Sequence, residues 1–367
     1  MTKTNIFEAT VEHFLAPIMP YMNDPTVSEI MVNAPDEIYI EREGRVHKTD
    51  ARFDDDEALL AAVKNVLQFT GKQISQQQPL VDSRLPDGSR VHVILYPLCR
   101  TSTVVCIRKF AKTLLDADRL LELGSWTPEM MDYLSVCVRG AKNVLVAGGT
   151  SSGKTSLLNV LSGFVPDHER VVVIEDSAEL DFRKPHVLSL ESRPPDRWGR
   201  GEVTIRDLFR SALRLRPDRV IIGEVRGGEA LDVIQAMTSG HAGSMTTLHA
   251  TGGLDALNRL ETLAMMSTVE LPLHALRAQI ASAIDVLVQL TRFTDGRRMV
   301  TGAAEVLPLG DDGKYRIREI FRYEPSGADG EELLTWTGEK SLFADQADIR
   351  RLREHWNRAA DVFGGKK

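Results

Sequence analysis

The feature that most constrains the fold of this chain is a loop of small residues at positions 148–156. Gly148, Gly153, Lys154 and Thr155 match the pattern G-x-x-x-x-G-K-[ST], which joins a buried strand to a helix. The residues before the loop, NVLVA, are apolar and rich in valine, as a buried parallel strand requires. The residues after it, TSLLNVLSGF, place three leucines on one helical face. The sequence therefore predicts a strand, a loop and a helix in that order.

This loop is predicted to hold the phosphates of a nucleoside triphosphate. Glycine has no Cβ, so the backbone can pass close to a phosphate and direct its N–H groups at the negative charge. Lys154 would reach the β- and γ-phosphates, and the hydroxyl of Thr155 would bind Mg²⁺. The predicted binding residues are Gly148, Gly149, Thr150, Ser151, Ser152, Gly153, Lys154, Thr155 and Ser156.

The composition is that of a globular chain with more than one domain. The chain has 367 residues, 43% of them hydrophobic, which is enough for two or three domains with cores of their own. No apolar run approaches the ~18 residues of a membrane span, and the sequence MTKTNIFEATVEHF has no apolar stretch typical of a signal peptide. Three cysteines without a C-x-x-C pair indicate free thiols in a reducing cytoplasm. The formal net charge of −7 disfavours a general nucleic-acid binder.

Two domains are predicted from the order of the apolar patterns. Residues 1–110 are typical of a small mixed α/β domain, with an amphipathic helix at 5–22 followed by short strands and a second helix. Residues 111–125 are predicted to form a linker that contains a helical turn or two. Within 126–367 the apolar strands NVLVAGG, RVVVIED, DRVIIGE and GSMTTLHA alternate with helices, which indicates a RecA-like α/β domain with a parallel sheet. From about residue 310 we expect a more irregular C-terminal tail.

Acidic residues follow two of these predicted strands, where open α/β sheets bind their ligands. Glu224 ends the strand DRVIIGE, and we predict that it acts as a base or orients the attacking water, because no aspartate precedes it. Glu175 ends the strand RVVVIED and, with Asp176 and Glu179, could hold Mg²⁺ or a water. Solvated loop acids are the alternative interpretation for these three.

Two histidines and three arginines are further candidates. His241 and His249 flank the core of the strand GSMTTLHA, and we expect at least one of them to contact or sense the γ-phosphate; a structural role is the alternative. No zinc ligand set is recognisable. Arg84, Arg90 and Arg108 lie in the first domain and could stabilise the charge that develops during triphosphate cleavage. An ordinary salt-bridge role fits each of these arginines equally well.

Together these motifs resemble those of the secretion traffic ATPases, the motors of type II and type IV secretion and of type IV pili. GGTSSGKTSLLN, VVVIEDSAEL, LRLRPDRVIIGEVRGGEALD and SGHAGSMTTLHA are similar, in order, to the Walker A, Asp, Walker B and His boxes of that family. The segments SEIMVNAPDEIYIEREG, PLVDSRLPDGSRV, IRKF and ESRPPDRWGRGEVTIRDLFRSALRLRPDR resemble the CpaF-type ATPases of tight-adherence (Tad/Flp) pili most. The similarity covers about residues 24–325.

The resemblance implies a fold, an activity and partners. It implies a PAS-like N-terminal domain and rings of six subunits, with ATP bound between the two domains of each subunit. By this resemblance Glu224 is the catalytic glutamate, Glu175 and Glu179 belong to the Asp box, and His241 and His249 belong to the His box. The implied function is Mg²⁺-dependent ATP hydrolysis that drives pilus assembly, pilus retraction or secretion. The protein would be cytoplasmic and peripheral to the inner membrane, held there by a platform protein without inserting itself.

Several alternatives remain open from the sequence. A type IV secretion ATPase that exports protein or DNA would carry the same motifs. A RecA-like nucleic-acid motor is disfavoured by the acidic net charge and by the lack of a stretch that mixes aromatic and basic residues. A nucleotide-gated scaffold with little turnover would also bind ATP. No cysteine-bound zinc module is recognisable, which disfavours the assembly ATPases of type II secretion, and HATGG stands where the family usually has a HANS-like sequence.

Overall fold

The computed structural model shows a chain of two structural units and describes residues 12–110, 115–196, 198–324 and 333–365. The first unit comprises Met1–Leu114 and Thr294–Arg297, and the second comprises Leu115–Phe293 and Arg298–Lys367. Three parts of the predicted organisation lie outside the described residues: the first turns of the N-terminal helix, positions 111–114 of the linker, and positions 325–332 of the tail.

A six-stranded antiparallel sheet forms the first unit, with the strand order β3-β2-β1-β6-β5-β4. Its strands are β1 (Val27–Ala34), β2 (Glu37–Arg42), β3 (Arg45–Lys48), β4 (Leu80–Arg84), β5 (Arg90–Ile94) and β6 (Val104–Arg108). The helices α1 (Met19–Asn23) and α2 (Asp56–Phe69) accompany the sheet. The side chain of Asp55 accepts a hydrogen bond from the Ala58 N–H at 2.7 Å and so begins α2.

One face of this sheet is apolar and the other carries charges, because successive side chains of a strand point to opposite faces. Val91 on β5 and Ile107 on β6 are buried in the core of the unit. The residues beside them therefore lie on the other face, where Arg84 pairs in register with Arg90, and Arg90 with Arg108. The three arginines named from the sequence thus form a row across three neighbouring strands.

A nine-stranded sheet forms the second unit, with the order β15-β14-β13-β12-β7-β11-β10-β8-β9. Its strands are β7 (Val144–Gly148), β8 (Val171–Glu175), β9 (Val187–Glu191), β10 (Arg219–Ile222), β11 (Met245–His249), β12 (Val286–Arg292), β13 (Arg298–Leu307), β14 (Arg316–Glu324) and β15 (Leu333–Trp336). The six strands from β12 to β9 in this order run parallel, and β13, β14 and β15 add antiparallel pairs.

Helices cover both faces of the parallel strands. They are α3 (Ala117–Glu122), α4 (Pro128–Arg139), α5 (Lys154–Ser162), α6 (Ile205–Ala212), α7 (Glu229–Thr238), α8 (Gly253–Met265), α9 (Leu273–Ala283) and α10 (Ala347–Arg351). The predicted leucine face of α5 is buried together with residues of α4, while α7, α8 and α9 contribute to a second apolar cluster. Every residue of β7, β8 and β10 is buried, which explains why these strands are continuous apolar runs in the sequence. The predicted α/β class, a P-loop domain preceded by a smaller mixed α/β domain, is confirmed.

The chain beyond residue 310 is more regular than its sequence suggests. β14 and β15 extend the sheet, although charged residues occupy more than half of β14 and hide its alternation. A buried carboxylate ties the following segment to the sheet: Glu305 accepts hydrogen bonds from the Tyr133 hydroxyl (2.9 Å), the Ser341 hydroxyl (2.6 Å) and the Leu342 N–H (2.7 Å). Among the described residues, no helix combines the length and the apolar content that a membrane crossing needs.

Arg219 is completely buried at the amino end of β10. Its guanidinium donates to the carbonyls of Val138 (2.6 Å) and Gly243 (3.5 Å) and pairs with the carboxylate of Glu169. Gly243 has φ 80°, and a Cβ at that position would lie 2.8 Å from the guanidinium. Glycine is therefore required there, because any larger residue would displace the buried arginine.

Replacing Arg219 by methionine should lower the free energy of unfolding of the second unit by about 3 kcal/mol, because the Glu169 carboxylate loses its partner. Chemical denaturation followed by tryptophan fluorescence would measure the change, since all four tryptophans belong to this unit. Arg322→Met, at an exposed position of β14, is the control and should change the stability by less than ~0.5 kcal/mol. Equal midpoints for the two variants would contradict the role assigned to Arg219.

Candidate active site

The small-residue loop turns sharply between β7 and α5. Gly148 is the last residue of β7, and Lys154 is the first residue of α5. Gly153 has φ 97°, in the left-handed region that favours glycine. A Cβ on Gly148 would lie 2.5 Å from the Ser152 hydroxyl oxygen, whereas Gly149 faces open space. The first turn of α5 has N–H groups that the helix itself does not use, so the loop can bind an anion such as a phosphate.

Arg298, the first residue of β13, supports this loop. Its Nε donates to the carbonyl of Ser151 at 2.8 Å, and its own carbonyl accepts from the Ser125 hydroxyl at 3.0 Å. The arginine thereby holds the loop at the point where Ser151 adopts a positive φ of 55°. No sequence pattern indicates Arg298, because it lies 147 residues from Ser151 along the chain and belongs to no motif.

The ammonium group of Lys154 is buried and held inside the loop. Its Nζ donates to the carbonyls of Gly148 (3.1 Å) and Gly149 (2.9 Å) and lies 3.3 Å from Nδ1 of His249. Lysine can only donate, so Nδ1 is the acceptor and the proton of the neutral imidazole is assigned to Nε2. Burial, together with the nearby Lys154 ammonium, lowers the pKa of His249, which keeps the ring neutral at pH 7.

Glu224 lies two residues after the end of β10, between His249 and Arg226. Its Oε1 is 2.7 Å from Nε2 of His249; this oxygen is buried and has no partner with full hydrogen-bond geometry in the described part of the chain. Its Oε2 is held by Arg226, with Nε at 2.6 Å and Nη2 at 2.5 Å. Arg226 therefore holds Oε2 of Glu224 by a charge-assisted contact, whereas Oε1 lies beside the neutral His249.

The structure distinguishes the roles of two acids, Glu175 at the end of β8 and Glu179 in the segment after it. Glu175 is buried, and its Oε1 accepts hydrogen bonds from the N–H groups of Glu179 (2.8 Å) and Leu180 (3.0 Å). It thus fixes the loop that follows the strand. The Thr155 hydroxyl lies 3.4 Å from Oε2 of Glu179. The predicted Mg²⁺ pair was Thr155 with Glu175, whereas the acid that the structure places in contact with Thr155 is Glu179.

The oxygen atoms beside the loop suit Mg²⁺. This ion takes one or two protein oxygens and completes its octahedral shell with phosphate oxygens and water. The hydroxyl of Thr155 and the carboxylate of Glu179 offer such a pair at the start of α5. No group of three or more His, Cys, Asp or Glu that could hold a metal occurs among the described residues, so a metal here would depend on the phosphates as well.

Other residues predicted from the sequence lie elsewhere. His249 ends β11, but His241 precedes that strand, so the two histidines lie at opposite ends of it. The carbonyl of His241 accepts a hydrogen bond from the Ser244 hydroxyl at 2.8 Å. The structure therefore does not bring His241 to the phosphate-binding loop, because the length of β11 separates the two. The three candidate arginines belong to the first unit: Arg84, Arg90 and Arg108.

The chain is similar to proteins of bacterial secretion systems. Residues 12–332 match the model of the family described as "Type II/IV secretion system protein". A putative conjugal transfer protein of Mycobacterium tuberculosis is 33% identical over 291 residues, which cover 78% of this chain and 82% of that protein. The type IV secretion system protein PtlH of Bordetella pertussis is 33% identical over 315 residues, covering 78% of this chain and 91% of PtlH.

Two solved structures share the fold. The ATPase DotB of Yersinia pseudotuberculosis aligns with a TM-score of 0.58 and 19% identity, over 85% of this chain and 81% of DotB. The pilus retraction motor PilT with bound ADP aligns with a TM-score of 0.54 and 18% identity, over 96% of this chain and 88% of PilT. At these identities the similarity concerns the arrangement of helices and strands.

Replacing Lys154 with alanine should abolish turnover and weaken nucleotide binding, because this lysine supplies the positive charge inside the phosphate-binding loop. Calorimetric titration with a nonhydrolysable ATP analogue and a phosphate-release assay would measure the two properties. Lys314→Ala, at an exposed lysine that follows β13, is the matched control and should leave both unchanged. Near-normal ATPase activity in folded Lys154→Ala protein would refute the assignment of the loop.

Proposed function

The chain belongs to the type II/IV secretion system protein family, and from this premise we propose that it is an ATPase whose hydrolysis of ATP drives a secretion or pilus machine. The observation that carries the proposal is the line of contacts from Lys154 through His249 to Glu224. These contacts join a phosphate-binding lysine to a carboxylate at the carboxyl edge of a parallel sheet. Phosphoryl transfer to water needs both groups at such an edge.

Nucleotide binding would change the partners of Lys154. In the structure its ammonium is held by the carbonyls of Gly148 and Gly149. The triphosphate of ATP offers stronger acceptors, because its oxygens carry negative charge and attract the ammonium directly, whereas the carbonyl oxygens are neutral. Lys154 would turn to the β- and γ-phosphates while loop N–H groups bind their oxygens. Mg²⁺, held by Thr155 and Glu179, would neutralise charge on the phosphate oxygens.

Glu224 would orient and deprotonate the attacking water. The water oxygen attacks the γ-phosphorus, the bond to the β–γ bridging oxygen breaks, ADP leaves, and the proton of the water passes to the carboxylate. Oε1 of Glu224 suits this role, because it is buried and lies 2.7 Å from Nε2 of His249 without full hydrogen-bond geometry. Neutral His249 beside it adds no positive charge that would compete for that oxygen.

Two machines of the family are candidates for this motor. The sequence resemblance to CpaF-type ATPases favours assembly or retraction of a tight-adherence pilus. A type IV secretion ATPase is the second candidate, favoured by the 33% identity to PtlH, a type IV secretion system protein. In both cases we propose a protein on the cytoplasmic side of the inner membrane that acts through a platform partner. Co-purification with pilus platform proteins, or with secretion-channel components, would separate the two.

We also propose that the motor is a ring of six copies, as the resemblance implies. The row formed by Arg84, Arg90 and Arg108 supports this proposal, because it aligns three positive charges on one sheet face, to which an anion such as a bound triphosphate would be attracted. The arginine row would then stabilise the charge of the transition state.

Replacing Glu224 by glutamine should lower kcat for ATP hydrolysis by ~10²–10⁴-fold, because the amide cannot accept the proton of the attacking water. The affinity for a nonhydrolysable ATP analogue should stay near that of the unchanged protein, since the binding loop is intact. Phosphate release and calorimetric titration measure the two effects. If Glu224→Gln keeps most of its turnover while Glu175→Gln loses it, the base lies at the end of β8 instead.

Assembly should depend on nucleotide. Size-exclusion chromatography with light scattering should show hexamers at micromolar concentration, and a larger hexamer fraction with a nonhydrolysable ATP analogue. Replacing the central arginine of the row, Arg90→Gln, should reduce that response to nucleotide. Monomers under every condition would contradict the proposed ring.

A further inference from the structure

Arg226 is fixed in place at both its backbone and its side chain. Its own N–H and that of Gly227 donate to Oε1 of Glu229, at 2.7 and 2.8 Å, at the start of α7. Its guanidinium faces two carboxylates: Nε and Nη2 contact Glu224, and Nη1 lies 3.8 Å from Oδ2 of Asp176. The arginine therefore links the segment after β10 with the segment after β8.

The contact between Arg226 and Glu224 is selective for one oxygen. Both nitrogen atoms approach Oε2, whereas Oε1 is left beside His249. A carboxylate on a free side chain could exchange its two oxygens by rotation about the terminal bond, which is soft. The charge-assisted contact at Oε2 opposes that rotation and keeps Oε1 directed toward the histidine and the lysine.

We propose that Arg226 is a positioning residue for hydrolysis: it holds the carboxylate of Glu224 so that Oε1 meets the attacking water. The inference rests on the proposed function, in which Glu224 takes the proton. It assigns to Arg226 no contact with the nucleotide, because all three nitrogens of its guanidinium face protein carboxylates. Arg226 therefore acts on kcat through Glu224 and leaves nucleotide binding unchanged.

Arg226→Gln tests this inference, because the variant should lower kcat without changing the affinity for nucleotide. We expect kcat for ATP hydrolysis to fall about 10- to 100-fold, the range of a misplaced catalytic group. The Kd of a nonhydrolysable ATP analogue should stay within about twofold, since no nucleotide contact is lost. Arg226→Lys should retain only part of the activity. Its ammonium can still pair with the carboxylate of Glu224, but it cannot hold that carboxylate with two nitrogens. This variant also serves if Arg226→Gln does not fold.

The chain contains a matched control pair. Arg322 on β14 contacts Glu324 at the same two-residue spacing, with Nε at 3.3 Å and Nη2 at 3.0 Å. Its side chain is 54% exposed, compared with 59% for Arg226. Arg322→Gln should therefore leave kcat and nucleotide affinity unchanged. An equal loss of kcat in Arg322→Gln would show a general effect of removing a surface arginine, and would overturn the inference.

A double variant decides whether Arg226 acts through Glu224. Adding Arg226→Gln to Glu224→Gln should lower kcat no further, because the oxygen that Arg226 directs has already been replaced. Independent, multiplying losses would overturn the positioning role, as would a loss of nucleotide affinity in Arg226→Gln. If Glu224→Gln loses turnover and Arg226→Gln keeps it, only this inference fails. If Glu224→Gln itself keeps turnover, the base assignment and this inference fail together.

Discussion

The buried ammonium group of Lys154 determines the arrangement of the candidate site, because a charge removed from water needs compensating partners. Two carbonyls of its own loop supply part of that compensation, and His249 supplies a third acceptor. A protonated histidine could not accept from lysine, so this contact keeps the imidazole neutral. The same ring then presents its other nitrogen to Glu224, and the lysine, the histidine and the glutamate form one connected set.

The two edges of the parallel sheet carry buried charged groups in different surroundings. At the amino edge, Arg219 contacts Glu169 and two backbone carbonyls inside the protein. At the carboxyl edge, Glu224 keeps a buried oxygen that has no full hydrogen bond among the described residues. This oxygen lies 2.7 Å from Nε2 of the neutral His249 ring. The buried arginine thus stabilises the amino edge, and the carboxylate at the carboxyl edge is placed for the proposed chemistry.

Contacts between segments distant in sequence complete the site, and they explain which residues the motifs missed. Arg298 reaches the loop from β13, and Glu179 reaches Thr155 because Glu175 fixes the turn between them. Arg226 lies within a motif that is recognisable in the sequence, but only the structure shows that its side chain contacts Glu224. The opposite situation holds for His241, which a motif groups with His249 although the strand β11 separates the two residues.

The sequence alone determined the α/β class, the strand–loop–helix unit around Lys154 and the strand that precedes Glu224, because these depend on local spacing and on continuous apolar runs. It did not reveal β14, whose many charges hide its alternation. Tertiary structure decided which acid meets Thr155, which oxygen of Glu224 is held, and that Arg84, Arg90 and Arg108 stand in one row. Strand register and side-chain direction set these relations, and both arise from pairing between segments that no local pattern encodes.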